Sequence, residues 1–195
     1  MGQGPRAGGE VMAYRKTEKV LSKIAATRSL IIACSIDIIA ADGLDALTTR
    51  ALAERAEIAI GSVYLHFADT NELIVAVATE LRTRDIEAMH AASVDKRPIP
   101  TLIAGISMLA HIAATKYRLM SAISLMPAYR DQVHSELARL IKATNPDQRP
   151  AILAAMVYGA IFETARLGIR SEQTLTQCLL RAIGVPARLI EIPVF

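Results

Sequence analysis

The chain of 195 residues has no tryptophan, only 4% aromatic residues and just two cysteines. Apolar residues make up 52% of the sequence and are mostly alanine, leucine and isoleucine, a composition that favours helices over strands. Disorder is excluded for most of the length, because disordered chains combine low hydrophobicity with high net charge and the formal charge here is +3. The length suggests one or two compact domains.

The two cysteines, Cys34 and Cys178, each lie within an apolar helical pattern, and neither belongs to a C-x-x-C or Cys/His cluster. This placement predicts buried thiols in a reducing cytosol rather than a disulfide. Residues 1–10 are rich in glycine and lack the apolar centre of a signal peptide, and the uncharged stretch 98–115 contains two prolines and a histidine. We therefore expect a cytoplasmic protein with no membrane partner.

The charges are distributed unevenly along the chain. Residues 1–30 contain six basic and two acidic side chains, whereas residues 31–75 contain two basic and seven acidic ones. The sequence pI of about 9.0 is therefore no argument for nucleic-acid binding by itself. Such an argument has to rest on a motif and on the basic segment that precedes it.

Apolar residues that recur every three to four positions predict about nine helices and no strand. The predicted helices are 17–41, 48–56, 60–67, 69–92, 101–115, 120–126, 129–143, 151–168 and 171–184. Gly43 is expected to end the first helix in a left-handed conformation, and Thr48 to cap the second. Asp69 and Glu72 have the D-x-x-E spacing of a capping box at the start of the fourth.

Two short helices follow the first helix and are separated by a tight turn near Glu57. This is the arrangement of a helix-turn-helix, which places its last helix in the major groove of DNA. Ala53 is small enough to let the two helices approach, and Val63 is expected to pack the second helix against the first. Many helical hairpins share this spacing, so the pattern alone is not specific.

A longer string of residues is more specific. The run L-T-T-R-A-L-A at 47–53, followed by G-S-V-Y-L-H-F at 61–67, resembles the TetR family of transcriptional repressors over about residues 28–74. The resemblance implies an all-α fold, with an N-terminal three-helix DNA-binding domain and a C-terminal helical domain for ligand binding and dimerisation. We divide the chain into a flexible arm (1–16), the helix-turn-helix domain (17–74) and the C-terminal domain (75–195).

The resemblance also implies partners: a palindromic double-stranded DNA operator, a second copy of the chain and a small apolar or amphipathic ligand. The DNA-contacting residues that it implies are Thr48, Thr49, Arg50, Ile60, Gly61, Ser62, Tyr64 and His66. The two threonines would hold the DNA backbone and Arg50 a guanine edge or a phosphate, while 60–62 would face base edges. Tyr64 and His66 would donate to phosphates. Capping alone would also explain Thr48, and a half-buried packing ring would explain Tyr64.

The sequence departs from the family pattern at three positions near the expected DNA backbone. Glu57 occupies the turn position that usually holds glycine, Ala59 replaces a capping serine, and Thr70 replaces a lysine that meets a phosphate. We therefore expect the attraction for DNA to come partly from the basic residues Arg15, Lys16, Lys19, Lys23 and Arg28.

In the C-terminal half, Ala151, Ala155 and Gly159 place small residues along one apolar helix. Such a surface lets two helices pack closely, which predicts a dimer interface there. Burial of the same residues within one chain is the alternative.

Candidate ligand-binding residues are polar or soft groups within apolar helices: Met108, His111, Met120, Met126, Tyr129, Tyr158, Phe162 and Glu163. No metal site or cofactor is expected, because no two of His111, His134 and Glu163 have an i, i+4 spacing. No catalytic triad order, glycine-rich phosphate loop or paired-carboxylate motif favours an enzyme. Two other hypotheses stay open: a ligand-binding or scaffold protein whose DNA-reading unit has decayed, and a helical enzyme that uses an apolar cavity.

Overall fold

The computed structural model describes residues 7–91, 97–145, 149–168 and 172–190, with side chains described from Glu18 onward. Within these residues every regular element is a helix. The α-helices are α1 (Ala7–Asp42), α2 (Thr49–Arg55), α3 (Ile60–His66), α4 (Thr70–Ala91), α5 (Pro98–Thr115), α6 (Tyr117–Ile123), α7 (Pro127–Thr144), α8 (Pro150–Arg166), α9 (Glu172–Ala182) and α10 (Ala187–Ile190). The all-α fold class is confirmed. Only the four-residue α10 was not predicted, because one turn carries too little periodicity.

The first three helices form the predicted helix-turn-helix unit. The C-terminal half of α1 buries Ile31 and Ile38, α2 buries Leu52, and α3 buries Val63 against them. A 3₁₀ turn at Leu44–Ala46 joins α1 to α2. Gly43 ends α1 with a positive φ of 90°, as expected, but its ψ of 175° lies outside the left-handed helical conformation that was predicted.

The N-terminal half of α1 differs from the prediction in two ways. The helix begins at Ala7, so the described part of the expected arm is helical and continuous with α1. Val20, Leu21 and Ile24, which the periodicity placed in the core, are about half exposed. These three residues do have helical spacing, but they precede Ile31, which is the first buried residue among the side chains of α1 that the structure describes.

The C-terminal domain is built around α5, which packs against α4, α7, α8 and α9. Three of its helices begin with a proline, at Pro98, Pro127 and Pro150. The missing N–H group of proline is tolerated in the first turn, so α5 begins at Pro98 and not, as predicted, after Pro100. α4 contacts both α1 and the helices of this domain, and therefore connects the two halves of the chain.

The two cysteines differ in their surroundings. Cys34 is buried in α1 and Cys178 is exposed on α9, and both are free thiols. The predicted burial is therefore right for Cys34 and wrong for Cys178. On α9 the buried side belongs to the neighbouring Leu179 and Leu180, which turn Cys178 outward.

Two helical segments are long and apolar enough to cross a membrane by length and composition alone, Glu18–Asp42 and Pro98–Thr115. The second is α5, and its buried side chains, including Leu102, Ile106 and Leu109, form the centre of the C-terminal domain. A core helix of this kind meets the same length and composition test as a membrane span. The first is the apolar part of α1 just described.

Candidate nucleic-acid interface and the buried C-terminal cluster

The N-terminus of α2 is capped as predicted. The hydroxyl of Thr48 accepts a hydrogen bond from the backbone N–H of Ala51 at 3.1 Å, and the backbone of Thr48 is extended. The other N–H groups in the first turn of an α-helix have no partner within the helix, and Thr49 at the start of α2 is partly exposed. Capping and a phosphate contact are therefore compatible at this position.

Arg50 lies on the exposed side of α2 and is paired within its own helix. Its Nε donates to Oε1 of Glu54 at 3.0 Å, and both side chains are largely exposed. An exposed ion pair of this type contributes about 0–1 kcal/mol. The pair therefore presents only a small barrier to a contact between Arg50 and DNA.

The helix α3 has one buried side and one exposed side. Val63 and the following Phe67 face the core, while Ile60, Gly61 and Tyr64 are exposed and Ser62 is partly exposed. The exposed fraction of Tyr64 is 58%, so its side chain is partly covered, and this burial is compatible both with a phosphate contact and with the packing ring of the alternative interpretation. Of the residues on α3 that the family resemblance assigned to DNA, Ile60, Gly61 and Tyr64 are therefore exposed, while Ser62 and His66 are partly covered.

The turn before α3 contains a strained residue. Glu57 has φ 53°, and it is the one residue other than glycine with a positive φ in the described parts of the chain. A left-handed conformation here agrees with the glycine that the family pattern usually has at this position. Ala59, at the N-cap of α3, makes no side-chain hydrogen bond, which agrees with the loss of the usual serine.

The start of α4 uses its acidic residues as caps. Oδ1 of Asp69 accepts from the backbone N–H of Glu72 at 2.8 Å, and Oε2 of Glu72 accepts from the backbone N–H of Ala68 at 2.8 Å. The predicted capping box is confirmed, with Glu72 reaching one residue further back than in the usual motif. Both carboxylates thereby satisfy amides at the positive end of the helix, which limits the repulsion that they exert on a nearby phosphate.

Arg28 occupies a position that the sequence did not predict. Its guanidinium lies over the ring of Phe67, 4.6 Å from the ring centre. This contact fixes α1 next to the C-terminal end of α3. The basic residues of α1 run from Arg15 to Arg28, and this series therefore ends beside α3, the helix assigned to base recognition.

In the C-terminal domain, α4 and α7 are joined by a buried polar pair. The hydroxyl of Tyr129 donates to Oδ2 of Asp85 at 2.5 Å, and Asp85 is only 7% exposed. Burial raises the pKa of the Asp85 carboxyl, and the same burial together with the neighbouring carboxylate raises the pKa of Tyr129. The Asp85 carboxylate is shielded from water and bonded to an uncharged donor, the Tyr129 hydroxyl. An ionised carboxylate in this setting is a strong hydrogen-bond acceptor.

Three further aromatic rings surround this pair. Phe162 lies edge-on to Tyr129 at 6.3 Å between ring centres, and it packs against Tyr158 at 4.3 Å. Tyr158 also meets the ring of His134 edge-on at 4.5 Å, and its hydroxyl donates to the backbone carbonyl of Ser124. The Nε2 atom of His134 is buried without a hydrogen-bond partner among the described residues, and burial lowers the pKa of this imidazole.

The predicted ligand-binding residues fall into two groups. The structure brings Tyr129, Tyr158 and Phe162 together, and Met120 is buried in the same core, with Met108 and Met126 partly buried. His111 and Glu163 lie instead on the surface. His111 pairs with Glu172 of α9, and Glu163 pairs with Arg166 one turn further along α8. Their charges are solvated and paired locally, so these two residues lie apart from the aromatic cluster.

Sequence reasoning missed Asp85, because it lies in a run of charged residues typical of a solvated helix face. A signal was present in the spacing. Leu73, Val77, Leu81 and Met89 are all buried and follow one another at intervals of four or eight residues, and Asp85 fills the gap in this stripe. A single acidic residue on an otherwise apolar stripe indicates a buried polar partner.

The small residues predicted at a dimer interface are on the outside of the single chain. Ala151, Ala155 and Gly159 are exposed on α8 together with Ile152 and Met156. A Cβ atom added to Gly159 would meet no other atom within 4 Å. Burial within one chain, the alternative interpretation, is therefore wrong. In the described residues no group of three or more His, Cys, Asp or Glu side chains is placed to hold a metal ion.

A capped α2, an exposed face on α3 and the core behind them define a helix-turn-helix DNA-binding domain, joined through α4 to a second helical domain. Residues 31–77 match the family model described as bacterial regulatory proteins, tetR family. Residues 31–77 are thus a helix-turn-helix segment of the tetR family type, and the resemblance seen in the motifs is confirmed over this segment. No curated protein matches the chain by sequence.

Solved structures share the fold over most of the chain. RolR in complex with resorcinol superimposes with a TM-score of 0.67 at 17% identity, covering 89% of this chain and 97% of RolR. A TetR-like transcriptional regulator from Rhodococcus sp. RHA1 gives 0.61 at 17% identity, with 83% and 98% covered. The multidrug binding protein EbrR in complex with imidazole gives 0.58 at 24% identity, with 82% and 96% covered. TetR-family proteins are transcriptional regulators and not enzymes, so the enzyme hypothesis is set aside.

Proposed function

We propose that this chain is a cytoplasmic, ligand-responsive transcriptional repressor that binds a palindromic operator as a homodimer and is released by a small molecule. The observation that carries the proposal is the exposed face of α3 beside the capped N-terminus of α2, within the segment that matches the family model. A two-fold symmetric dimer presents this face twice, so its DNA site has to be a palindrome.

The second copy is proposed to pack on α8. The exposed stripe formed by Ala151, Ile152, Ala155, Met156 and Gly159 is apolar and narrow enough for two helices to approach closely. Contiguous apolar surface of this kind is costly to leave in water.

The ligand is proposed to enter the cluster around Asp85 and Tyr129. The aromatic rings of Tyr158 and Phe162 favour a flat apolar molecule, while the Asp85 carboxylate and the unpartnered Nε2 of His134 favour one that also carries a hydrogen-bond donor. A small amphipathic aromatic compound meets both conditions. The resorcinol and imidazole bound by RolR and EbrR are of this type.

Ligand binding would act on DNA through α4. This helix starts at Thr70, next to α3, and carries Asp85 about four turns further along the same element. A ligand can shift the spacing of the two recognition helices only by binding one arrangement more tightly than the other. The proposed repressor is therefore expected to bind its ligand less tightly when DNA is bound.

DNA binding is tested by selecting duplexes from a randomised library with the full-length protein at low salt. We expect enrichment of a palindromic sequence, and Tyr64→Ala should weaken binding to it without loss of helical signal. Leu125→Ala is a matched control, because Leu125 is 76% exposed but lies between α6 and α7. If no duplex is preferred over random competitor, the repressor proposal is wrong and the decayed DNA-binding hypothesis gains support.

Ligand binding is tested by thermal unfolding with small aromatic compounds, starting with resorcinol and imidazole. A compound that binds only the folded protein raises the melting temperature, by an amount equivalent to about 2.7 kcal/mol at one hundred times its Kd. The rise should shrink in Asp85→Asn and His134→Ala. A compound whose effect is unchanged in both variants binds elsewhere.

A further inference from the structure

The recognition helix of this chain is poor in the side chains that commonly read bases. Between Ile60 and His66 there is no Arg, Lys, Asn, Gln, Asp or Glu. These are the residues that make bidentate contacts with guanine and adenine or accept from cytosine in the major groove. Ser62, Tyr64 and His66 supply the hydrogen-bonding groups of α3, and Ser62 and His66 are each partly covered.

The exposed face of α3 carries apolar side chains where base-reading polar side chains are common. Leu65 is 85% exposed and Ile60 is 48% exposed. At about 100° per residue, Ile60 and Leu65 lie at the two edges of one face of α3, with Tyr64 and Gly61 between them. Hydrophobic groups this exposed on a DNA-binding helix gain free energy only when a partner covers them.

Gly61 lies between Tyr64 and Leu65 on that face, and close packing within the described chain does not require a glycine there. Its φ is not positive, and a Cβ added there would meet no atom within 4 Å. Glycine lowers helix stability relative to alanine, so alanine at position 61 would make the isolated fold more stable. The absence of a side chain instead lets the backbone of α3 approach an external surface closely.

We propose that α3 selects its operator through apolar contact of Ile60 and Leu65 with the 5-methyl groups of thymine, while Gly61 brings the helix backbone close to the base edges. The thymine methyl is the apolar group that the major groove of unmodified DNA offers for such contact. The inference rests on the operator binding proposed above. It adds the chemistry by which the half-site is recognised.

The test uses the duplex selected from the randomised library and replaces its thymines one position at a time, in both half-sites, by deoxyuridine. Deoxyuridine pairs with adenine in the same way and lacks only the 5-methyl group. For the wild-type protein we expect affinity to fall about fourfold for each contacted methyl removed, or about fifteenfold for a symmetric pair. Replacement outside the half-sites serves as the control and should have no effect.

The same duplexes are then measured with Ile60→Ala and Leu65→Ala. Each variant should bind the thymine duplex more weakly than the wild type, and should lose the penalty for deoxyuridine at the position that its side chain contacts. Leu125→Ala, which removes an exposed leucine far from α3 in sequence, should keep the full penalty. Gly61→Ala should keep or raise the melting temperature while weakening DNA binding at least tenfold.

The outcomes separate the two proposals. If no duplex is enriched, operator binding itself fails. If a duplex is enriched but its half-sites contain no thymine, or deoxyuridine binds as well as thymine, recognition through methyl groups is wrong while operator binding stands. If the deoxyuridine penalty is the same in the wild type and in both alanine variants, the methyl groups act through the stiffness of the duplex, and the proposal is again overturned.

Discussion

At the scale of single residues, Glu57 adopts a backbone conformation that few residues other than glycine tolerate. Its φ of 53° places the turn between α2 and α3 in the left-handed region. Glu57→Gly should therefore raise the free energy of unfolding by about 1 kcal/mol, since the left-handed conformation costs a residue with a Cβ about 1–2 kcal/mol. The measurement is urea unfolding followed by circular dichroism.

A matched control separates this effect from a general effect of glycine. Glu54→Gly places the same change three residues earlier, inside α2, where it should lower stability by about 1 kcal/mol. Loss of stability in Glu57→Gly would mean that the Glu57 side chain makes a favourable interaction that outweighs the strain.

Asp85 provides a second prediction at this scale. Burial raises the pKa of its carboxyl in the folded protein, so between about 4 and that raised value the folded state binds more protons than the unfolded state. The contribution of Asp85 to stability therefore falls as the pH rises through this window. Asp85→Asn keeps an acceptor for Tyr129 without the charge, and its stability relative to wild type should increase with pH above about 4. Urea unfolding from about pH 4.5 to 8, at constant protein concentration, measures this.

Two variants check the interpretation. Tyr129→Phe leaves the buried carboxylate without its donor and should lower the free energy of unfolding by about 1–3 kcal/mol. Asp37→Asn removes an exposed carboxylate on α1 and should follow the wild-type pH dependence. A stability difference between Asp85→Asn and the wild type that is constant across this pH range would contradict the argument.

At the scale of elements, α8 decides the proposed assembly. Gly159→Leu fills open space on the outside of the single chain, so the fold of one copy should be unaffected. If two α8 helices meet there, the added methylene groups should cost about 1–3 kcal/mol, which weakens the dimer about fivefold to 150-fold. Sedimentation at micromolar concentration measures the change.

The control for this prediction is Ala88→Leu, which enlarges an exposed residue on α4 instead. It should leave the sedimentation behaviour as in the wild type. If Gly159→Leu stays dimeric to the same extent as Ala88→Leu, the interface lies on another surface.

At the scale of the whole molecule, we expect the opposed charges of the first thirty residues and of the following segment to govern the proposed DNA affinity. The basic end of the chain leads into α1, which passes the end of α3 at Arg28. Removal of residues 1–16 deletes Arg6, Arg15 and Lys16 from each copy. We expect weaker binding and a shallower dependence of log affinity on log salt, by about 0.9 for each phosphate that the protein no longer neutralises. A titration of salt against affinity measures the slope.

The double variant Arg15→Gln, Lys16→Gln keeps the length of the chain and should reproduce part of the change in slope. Thr70→Lys should act in the opposite direction and strengthen binding to all duplexes about equally, because phosphates carry no sequence information. An unchanged slope in the truncated protein would show that the basic end of the chain does not contact DNA.

The sequence by itself determined the features that depend on neighbours along the chain. The helix class, the cap at Thr48 and the box at Asp69 and Glu72 follow from residues within four positions of one another, whereas the turn at Glu57 was implied by the family resemblance. Local hydrogen bonds and backbone preferences operate over this distance, so a linear pattern contains them. The helix-turn-helix motif is a combination of such signals, which is why it could be recognised.

Only the tertiary structure decided which surfaces are covered. Ile24 and Ile31 belong to the same apolar stripe of α1. Ile24 is exposed and Ile31 is buried, because only Ile31 reaches the helices of the core. Asp85 and Tyr129 are 44 residues apart, and no local pattern joins them. Burial and long-range pairing depend on how whole elements pack, and the free energy of that packing is shared among residues distant in the chain.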